Sequence, residues 1–194
     1  AAGVDIIQTN TFGANCYKLA AHGLEAQVAE INRAGVYLAK QAVSARLTGS
    51  GAFQKAVVAG DVGPLGVRLA PYGRVQPEQA RQAFQEQITA LVEAGVDFII
   101  CETFSDLYEI REAVAATRLV APWIPVVASM TFTRDDRTLF GDSPQKVVES
   151  LIEAGADMVG VNCSGGPAQI YRILKQMHQV APAVKLSAMP NAGW

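Results

Sequence analysis

One four-residue pattern occurs three times and constrains the fold more than anything else in the chain. Ala2-Gly3-Val4-Asp5 precedes IIQTNT, Ala94-Gly95-Val96-Asp97 precedes FIICETF, and Ala154-Gly155-Ala156-Asp157 precedes MVGVNCS. An amphipathic helical pattern runs into the last two copies. Alanine-glycine then reads as a helix end, with glycine in the left-handed position that other residues avoid. The aspartate falls in a short turn, and a buried apolar run follows. Repetition of helix, tight turn and apolar run predicts alternating α and β elements with a parallel sheet.

The remaining segments fit between these junctions. KAVVAGD (55–61), PVVASMTF (125–132) and KLSAM (185–189) read as further strands. The β segments are thus expected near 5–10, 55–61, 97–102, 125–132, 158–163 and 185–190, with apolar runs that suit cover on both faces. Leu24 to Ala45 is expected to be helical, with Ala26, Ala29, Ala34, Leu38 and Ala42 available for packing. Gln76-Pro77 opens a helix whose inner positions are Ala80, Phe84, Ile88, Leu91 and Val92. Ser105-Asp106 caps the next, showing Leu107, Ile110 and Val114. Ser143-Pro144 starts one with Val147, Val148, Leu151 and Ile152 inward, and the last presents Ile170, Ile173, Leu174 and Met177. Six such units in unbroken order predict an α/β fold of the (β/α)8 barrel type, with an open doubly wound sheet as the alternative. Six strands leave such a barrel about two short. The expectation is a single domain over 1–194 lacking its first and last strands, with exposed apolar edges and low stability on its own.

In a barrel the C-terminal strand ends form the site. Here they carry Thr9-Asn10-Thr11, Asp61, Glu102-Thr103, Thr131, Asn162-Cys163 and Asn191, while the opposite ends carry little beyond the junction aspartates. Asn10, Glu102 and Asn162 are each five residues beyond a junction aspartate and are expected at similar depth. Glu102 emerges from a buried strand, so it needs a partner or a proton. It reads either as a clamp for a substrate ammonium or as a salt-bridge partner of Arg68 or Arg134. Cys163 ends the run Met158 to Val161 and is followed by Ser164-Gly165-Gly166. Strict alternation would turn it away from the face of Asn162, so a role at the site requires the strand to bend there. A lone cysteine is otherwise a small buried hydrophobe, the reading that suits Cys101. Cys16 lies at a loop or helix start. Three widely spaced cysteines form no disulfide framework, which makes a reducing cytoplasm the default. His22 and His178 read as surface residues without metal-ligand spacing. The Gly- and Pro-rich stretch from Val62 to Val75 is long for a connection and serves as a site cover or as plain connector.

GVNCSGGP (160–167), TNTFGAN (9–15), ICETFSDLYE (100–109) and PNAG (190–193) together resemble the homocysteine S-methyltransferase family. That family includes the homocysteine-binding module of cobalamin-dependent methionine synthase and betaine–homocysteine methyltransferase. GDVGPLGVRLAPYGRV (60–75) looks most like bacterial chains that join this domain to a methylenetetrahydrofolate reductase domain. The resemblance implies a TIM barrel holding Zn2+ through three cysteine thiolates, of which Cys163 is one. The other two are a Cys-Cys pair on the last strand, which these 194 residues do not contain. By the same resemblance Asn191 fills the exchangeable zinc position at rest, although an asparagine in a Pro-Asn-Ala-Gly turn needs no metal. Glu102 binds the amino group of homocysteine, and Thr103, Asn10 and Asn162 shape the pocket. The implied reaction is methyl transfer to a zinc-bound homocysteine thiolate, giving methionine. The methyl donor is left open among methylcobalamin, methylfolate, S-methylmethionine and betaine, with a fused folate or reductase domain as a partner.

Other classes fare less well. The net charge is −2 with scattered Lys and Arg, so there is no basic stripe for nucleic acid. No apolar run approaches the roughly 20 residues of a membrane span. No nucleotide-binding glycine fingerprint or Walker loop occurs. An aldolase-like barrel would want a lysine at a strand end, whereas Lys185 begins its strand. The competing reading is a non-catalytic barrel or ligand-binding module without metal.

Overall fold

The computed structural model describes residues 3–47, 56–163 and 165–192. Ala2, Lys55, Ser164 and Gly193, which figured in the expectations above, lie outside them. The strands are β1 (Ile6–Gln8), β2 (Val57–Val62), β3 (Phe98–Phe104), β4 (Val126–Met130), β5 (Met158–Asn162) and β6 (Lys185–Met189). The helices are α1 (Cys16–Ala20), α2 (Val28–Leu47), α3 (Pro77–Glu93), α4 (Leu107–Val120), α5 (Pro144–Glu153) and α6 (Pro167–Val180). Spatial order equals chain order, β1 to β6, and every neighbouring pair is parallel. A doubly wound sheet reverses its order at a switch point. This sheet does not, so it is a section of barrel wall: six strands of a (β/α)8 fold, open between β1 and β6 among the described residues.

The repeated junction explains how each strand is started. Gly95 (φ 86°) and Gly155 (φ 101°) take the left-handed conformation after α3 and α5. Their N–H groups donate to Val92 and Ile152 carbonyls, both at 2.9 Å, and so close the helices. Two residues on, Asp97 Oδ2 accepts the N–H of Val58 and Asp157 Oδ2 that of Val126, each at 2.7 Å. The aspartate N–H groups return bonds to the carbonyls of the same Val58 and Val126. Asp97 and Asp157 therefore clip the start of the preceding strand and fix its register, whereas at the first junction the Asp5 carbonyl accepts the Val57 N–H. Arg118 of α4 braces the second junction, donating to the Gly155 carbonyl and to Asp157.

Alternation divides each strand between two layers. The outer face packs on the helices in a core containing Phe84, Ile88, Leu91, Ile99, Phe104 and Ile110, with the Phe84 and Phe104 rings 5.9 Å apart. The inner face forms a smaller cluster of Ala59, Ile100 and Val127, extended by Phe98, Met158 and Met189. Caps follow the expected residues: Asp106 accepts from Tyr108 N–H and Ser143 from Lys146 N–H. Gln76 and Gln79 form a reciprocal capping box at α3.

Three expectations need correction. The buried stripe of α2 is Val28, Asn32, Val36, Ala39 and Val43, whereas Leu38 is 62% exposed. The stripe runs through a buried asparagine rather than the expected alanines, because the Asn32 amide finds acceptors in the Ala14 and Val28 carbonyls. Ile152 is exposed at the rim of α5 rather than on its inner face. Cover on both faces holds for the central strands only. Ile6 is 51% exposed and Val57 37%, lining an open trough of about 910 Å³ inside the curved sheet with Phe98, Met158 and Met189. The stretch 62–75 is packed rather than loose: Leu65 and Leu69 are buried, and Tyr72 stacks on Phe140 at 4.6 Å.

The junction clip predicts a measurable cost. Asp157→Ala strands the Val126 N–H and removes the carboxylate partner of Arg118, and is expected to destabilise the protein by about 1–3 kcal/mol in equilibrium denaturation.

Candidate functional site

The C-terminal ends of β3 and β5 are tied together by one amide. Asn162, 2% exposed, ends β5. Its Oδ1 accepts the Thr103 N–H at 2.9 Å, and its Nδ2 donates to Thr103 Oγ1 at 2.7 Å. The same Nδ2 approaches Cys163 Sγ at 3.5 Å. Thr103 Oγ1 lies 3.8 Å from that sulfur. Because Oγ1 already accepts from Asn162, its own hydrogen is free for Sγ. Two weak donors thus face the thiol sulfur.

Both residues flanking this amide sit in the left-handed region, Thr103 at φ 62° and Cys163 at φ 55°. For residues with a Cβ, and a β-branched one above all, this costs on the order of 1–3 kcal/mol each. The bend it produces removes the alternation problem, since Cys163 Sγ shares the rim with Asn162 instead of turning into the helix layer. Cys101, one strand residue before Glu102, behaves oppositely: it is wholly buried on the outer face, and burial followed by the nearby Asp61 charge pushes its thiol up. Cys16 starts α1, and burial raises its thiol as well.

Glu102 faces the inner side of β3 and accepts a hydrogen bond from Gln8 Nε2 at 3.0 Å. Asn191 lies beyond β6, where the sheet bonding continues: Cys163 N–H donates to the Met189 carbonyl, and Asn191 N–H to the Gly165 carbonyl, both at 3.1 Å. The Asn191 backbone therefore runs beside the Cys163 turn. Asn10 is exposed past β1, and none of these contacts involves it.

Three charged residues with no assigned role in the sequence reading complete the picture. Asp61, on the inner face of β2, is 7% exposed, and its Oδ1 is buried without a hydrogen-bond partner. Burial, then the neighbouring Glu102 charge, push its carboxyl up to about 8, against the pull of Lys18. Glu109 on α4 accepts the Leu65 N–H at 2.7 Å and so pins the 62–75 stretch. Burial outweighs that bond and pushes its carboxyl up to about 7. Lys18 of α1 lies 4.5 Å over the Phe12 ring, and burial lowers its ammonium pKa. Asp61 stands among the strand-end residues that the sequence points to, near the end of a buried strand as Glu102 is, although nothing in the sequence gives it a role. Glu109 and Lys18 stand in helices, and no spacing distinguishes them.

With the geometry in view, comparison with known proteins is informative. A family model described as homocysteine S-methyltransferase matches residues 1–194. The chain belongs to the homocysteine S-methyltransferase family. Among its relatives is a methionine synthase of Mycobacterium leprae (strain TN), 29% identical over 196 residues, covering 99% of this chain and 16% of the relative. Another is a methionine synthase of Mycobacterium tuberculosis (strain ATCC 25618 / H37Rv), 30% identical with the same coverage. The chain thus spans about a sixth of these relatives' length. The metallated form of the homocysteine methyltransferase MmuM from Escherichia coli superposes with a TM-score of 0.86 at 26% identity, covering 99% of this chain and 68% of that one. In this homocysteine S-methyltransferase chain, no group of three or more His, Cys, Asp or Glu side chains that could hold a metal exists among the described residues. What the chain offers to a thiophilic metal is one thiol, Cys163, with donors oriented at it.

The acid cluster has a consequence for stability. The folded state keeps the Asp61 proton up to about pH 8, whereas the unfolded chain loses it near about pH 4. This contribution is therefore full below the unfolded value and is lost as pH rises through the folded one. Denaturation at a series of pH values should show Asp61→Asn less destabilised than the parent by raising pH from about 5 to about 8.

Proposed function

We propose that this chain is the homocysteine-binding barrel section of a zinc-dependent homocysteine S-methyltransferase that forms methionine. The observation carrying this reading is the Cys163 thiol, bent onto the strand-end rim by a left-handed backbone and faced by Asn162 and Thr103. Such strain persists where the surrounding structure over-determines it, as at functional sites. Family membership and the metallated MmuM relative support the zinc assignment.

Cys163 would hold the zinc ion as one thiolate ligand, and Asn191 would supply an amide oxygen that gives way to substrate. Two further cysteine ligands would come from outside these residues, since a tetrahedral zinc site needs four donors. Bound there, zinc supplies the Lewis acidity that keeps a substrate thiol ionised at neutral pH. Asn162 and Thr103 orient the Cys163 sulfur, as partners of metal ligands generally do. Glu102, itself oriented by Gln8, takes the substrate ammonium and aims the homocysteine side chain toward Cys163. Methyl transfer then forms a sulfur–carbon bond as the donor's bond to that carbon breaks, its electron pair leaving with the donor. The donor belongs to the group methylcobalamin, methylfolate, S-methylmethionine and betaine. Asn10 is the outermost of the residues assigned to the pocket.

Two substitutions test this in the full-length protein. Cys163→Ala is expected to lose most bound zinc by elemental analysis and to abolish methyl transfer; undiminished zinc would refute the assignment and favour a metal-free binding module. Glu102→Gln should retain zinc while weakening homocysteine binding about tenfold or more by calorimetry. Unchanged affinity would leave Glu102 a structural partner of Gln8 only.

A further inference from the structure

Among the described residues, Asp61 is the one buried acid of the inner face that the reaction outlined above does not use. Its main chain is held from both sides. The Asp61 N–H donates to Thr9 Oγ1 at 3.0 Å, and its carbonyl accepts from Thr11 Oγ1 at 2.7 Å. Thr9 and Thr11 are themselves bonded to each other at 2.6 Å and buried. The clamp fixes the Asp61 backbone, and Oδ1 is buried beside it with no hydrogen-bond partner. A buried acceptor left unfilled is costly, and a second carboxylate beside it makes ionisation costlier still.

The charged and titratable groups around Asp61 come from two elements, β3 and α1. Glu102 on β3 raises its pKa, and Lys18 on α1 lowers it. Cys101, on the other face of β3, is neutral, its thiol pushed up by burial. Lys18 sits over Phe12 and is shared with Glu109, so it does not neutralise Asp61. What is lacking is a cation with several donors. A primary ammonium has three N–H groups. One carboxylate each from Asp61 and Glu102, with the Gln8 amide oxygen, would satisfy them.

We propose that Asp61 is a second ammonium-binding carboxylate, which together with Glu102 makes the site select an α-amino thiol over a simple thiol. This rests on reading the chain as a homocysteine-binding domain. Without substrate, Asp61 keeps its proton near neutral pH. With an ammonium in place the Asp61 carboxyl is ionised, and that proton leaves to solvent.

The test is calorimetry on the full-length zinc-loaded protein with two thiols, L-homocysteine and 4-sulfanylbutanoate, which differ by the amino group. In Asp61→Asn, homocysteine affinity is expected to fall about tenfold or more, while 4-sulfanylbutanoate binds within about twofold of the parent. Repeated in buffers of different ionisation enthalpy near neutral pH, parent binding of homocysteine should release about one proton more than binding of 4-sulfanylbutanoate, and this excess should vanish in Asp61→Asn. An equal loss for both thiols would make Asp61 merely structural and overturn the proposal, as would unchanged homocysteine affinity. Failure of the parent to bind either thiol would overturn the homocysteine reading itself, and Asp61's role with it.

Discussion

The clip between a junction carboxylate and an N–H at the start of the neighbouring strand is the interaction on which the rest depends. Parallel strands are not joined by tight hairpins, so nothing local fixes their register. Here Asp97 and Asp157 do it from one end of the sheet. Once Val58 and Val126 are held, the number of residues to the far rim is set. Glu102 and Asn162 then emerge at matching positions, five residues beyond their respective aspartates. The chemistry-bearing end of the wall is therefore positioned from the opposite end, by groups that never touch it. Arg118, donating to three carbonyls and a carboxylate around the second junction, stiffens the half that carries Cys163.

At the rim two kinds of order coexist. Around the thiol every hydrogen bond is matched: the Asn162 amide spends its oxygen and nitrogen on Thr103 and Cys163. Three such contacts, worth about 0.5–1.5 kcal/mol each, are of the size needed to offset the two left-handed residues beside them. Around the carboxylates the matching is deliberately incomplete in the protein alone. Asp61 and Glu109 are buried acids raised toward neutrality, and only Glu109 has a main-chain donor to satisfy it. The thiol side is finished, whereas the carboxylate side is set up to receive charge.

Much of this was legible in the sequence, for identifiable reasons. The glycine-aspartate junctions and buried runs announced parallel strands. Asn162 and Cys163 stood out because polar residues abruptly end an apolar run, and the need for a bend at Cys163 followed from alternation alone. What could not be read were contacts between distant segments. The Asp97–Val58 clip joins residues 39 apart, and the Asn162–Thr103 bonds join residues 59 apart. The α2 face was misjudged because its stripe includes Asn32, whose burial makes sense only with the Gln87 amide and the Ala14 carbonyl around it. Glu109 and Lys18 were invisible for the same reason: their environment is made by the folded 62–75 stretch.

The left-handed pair at Thr103 and Cys163 has an evolutionary side. Glycine adopts that conformation without penalty, so at both positions the easiest backbone would carry no side chain at all. A lineage released from the chemistry of the site would therefore gain stability by drifting to glycine there. Threonine and cysteine in these two places keep a hydroxyl and a thiol at the rim at a conformational cost that glycine would not carry.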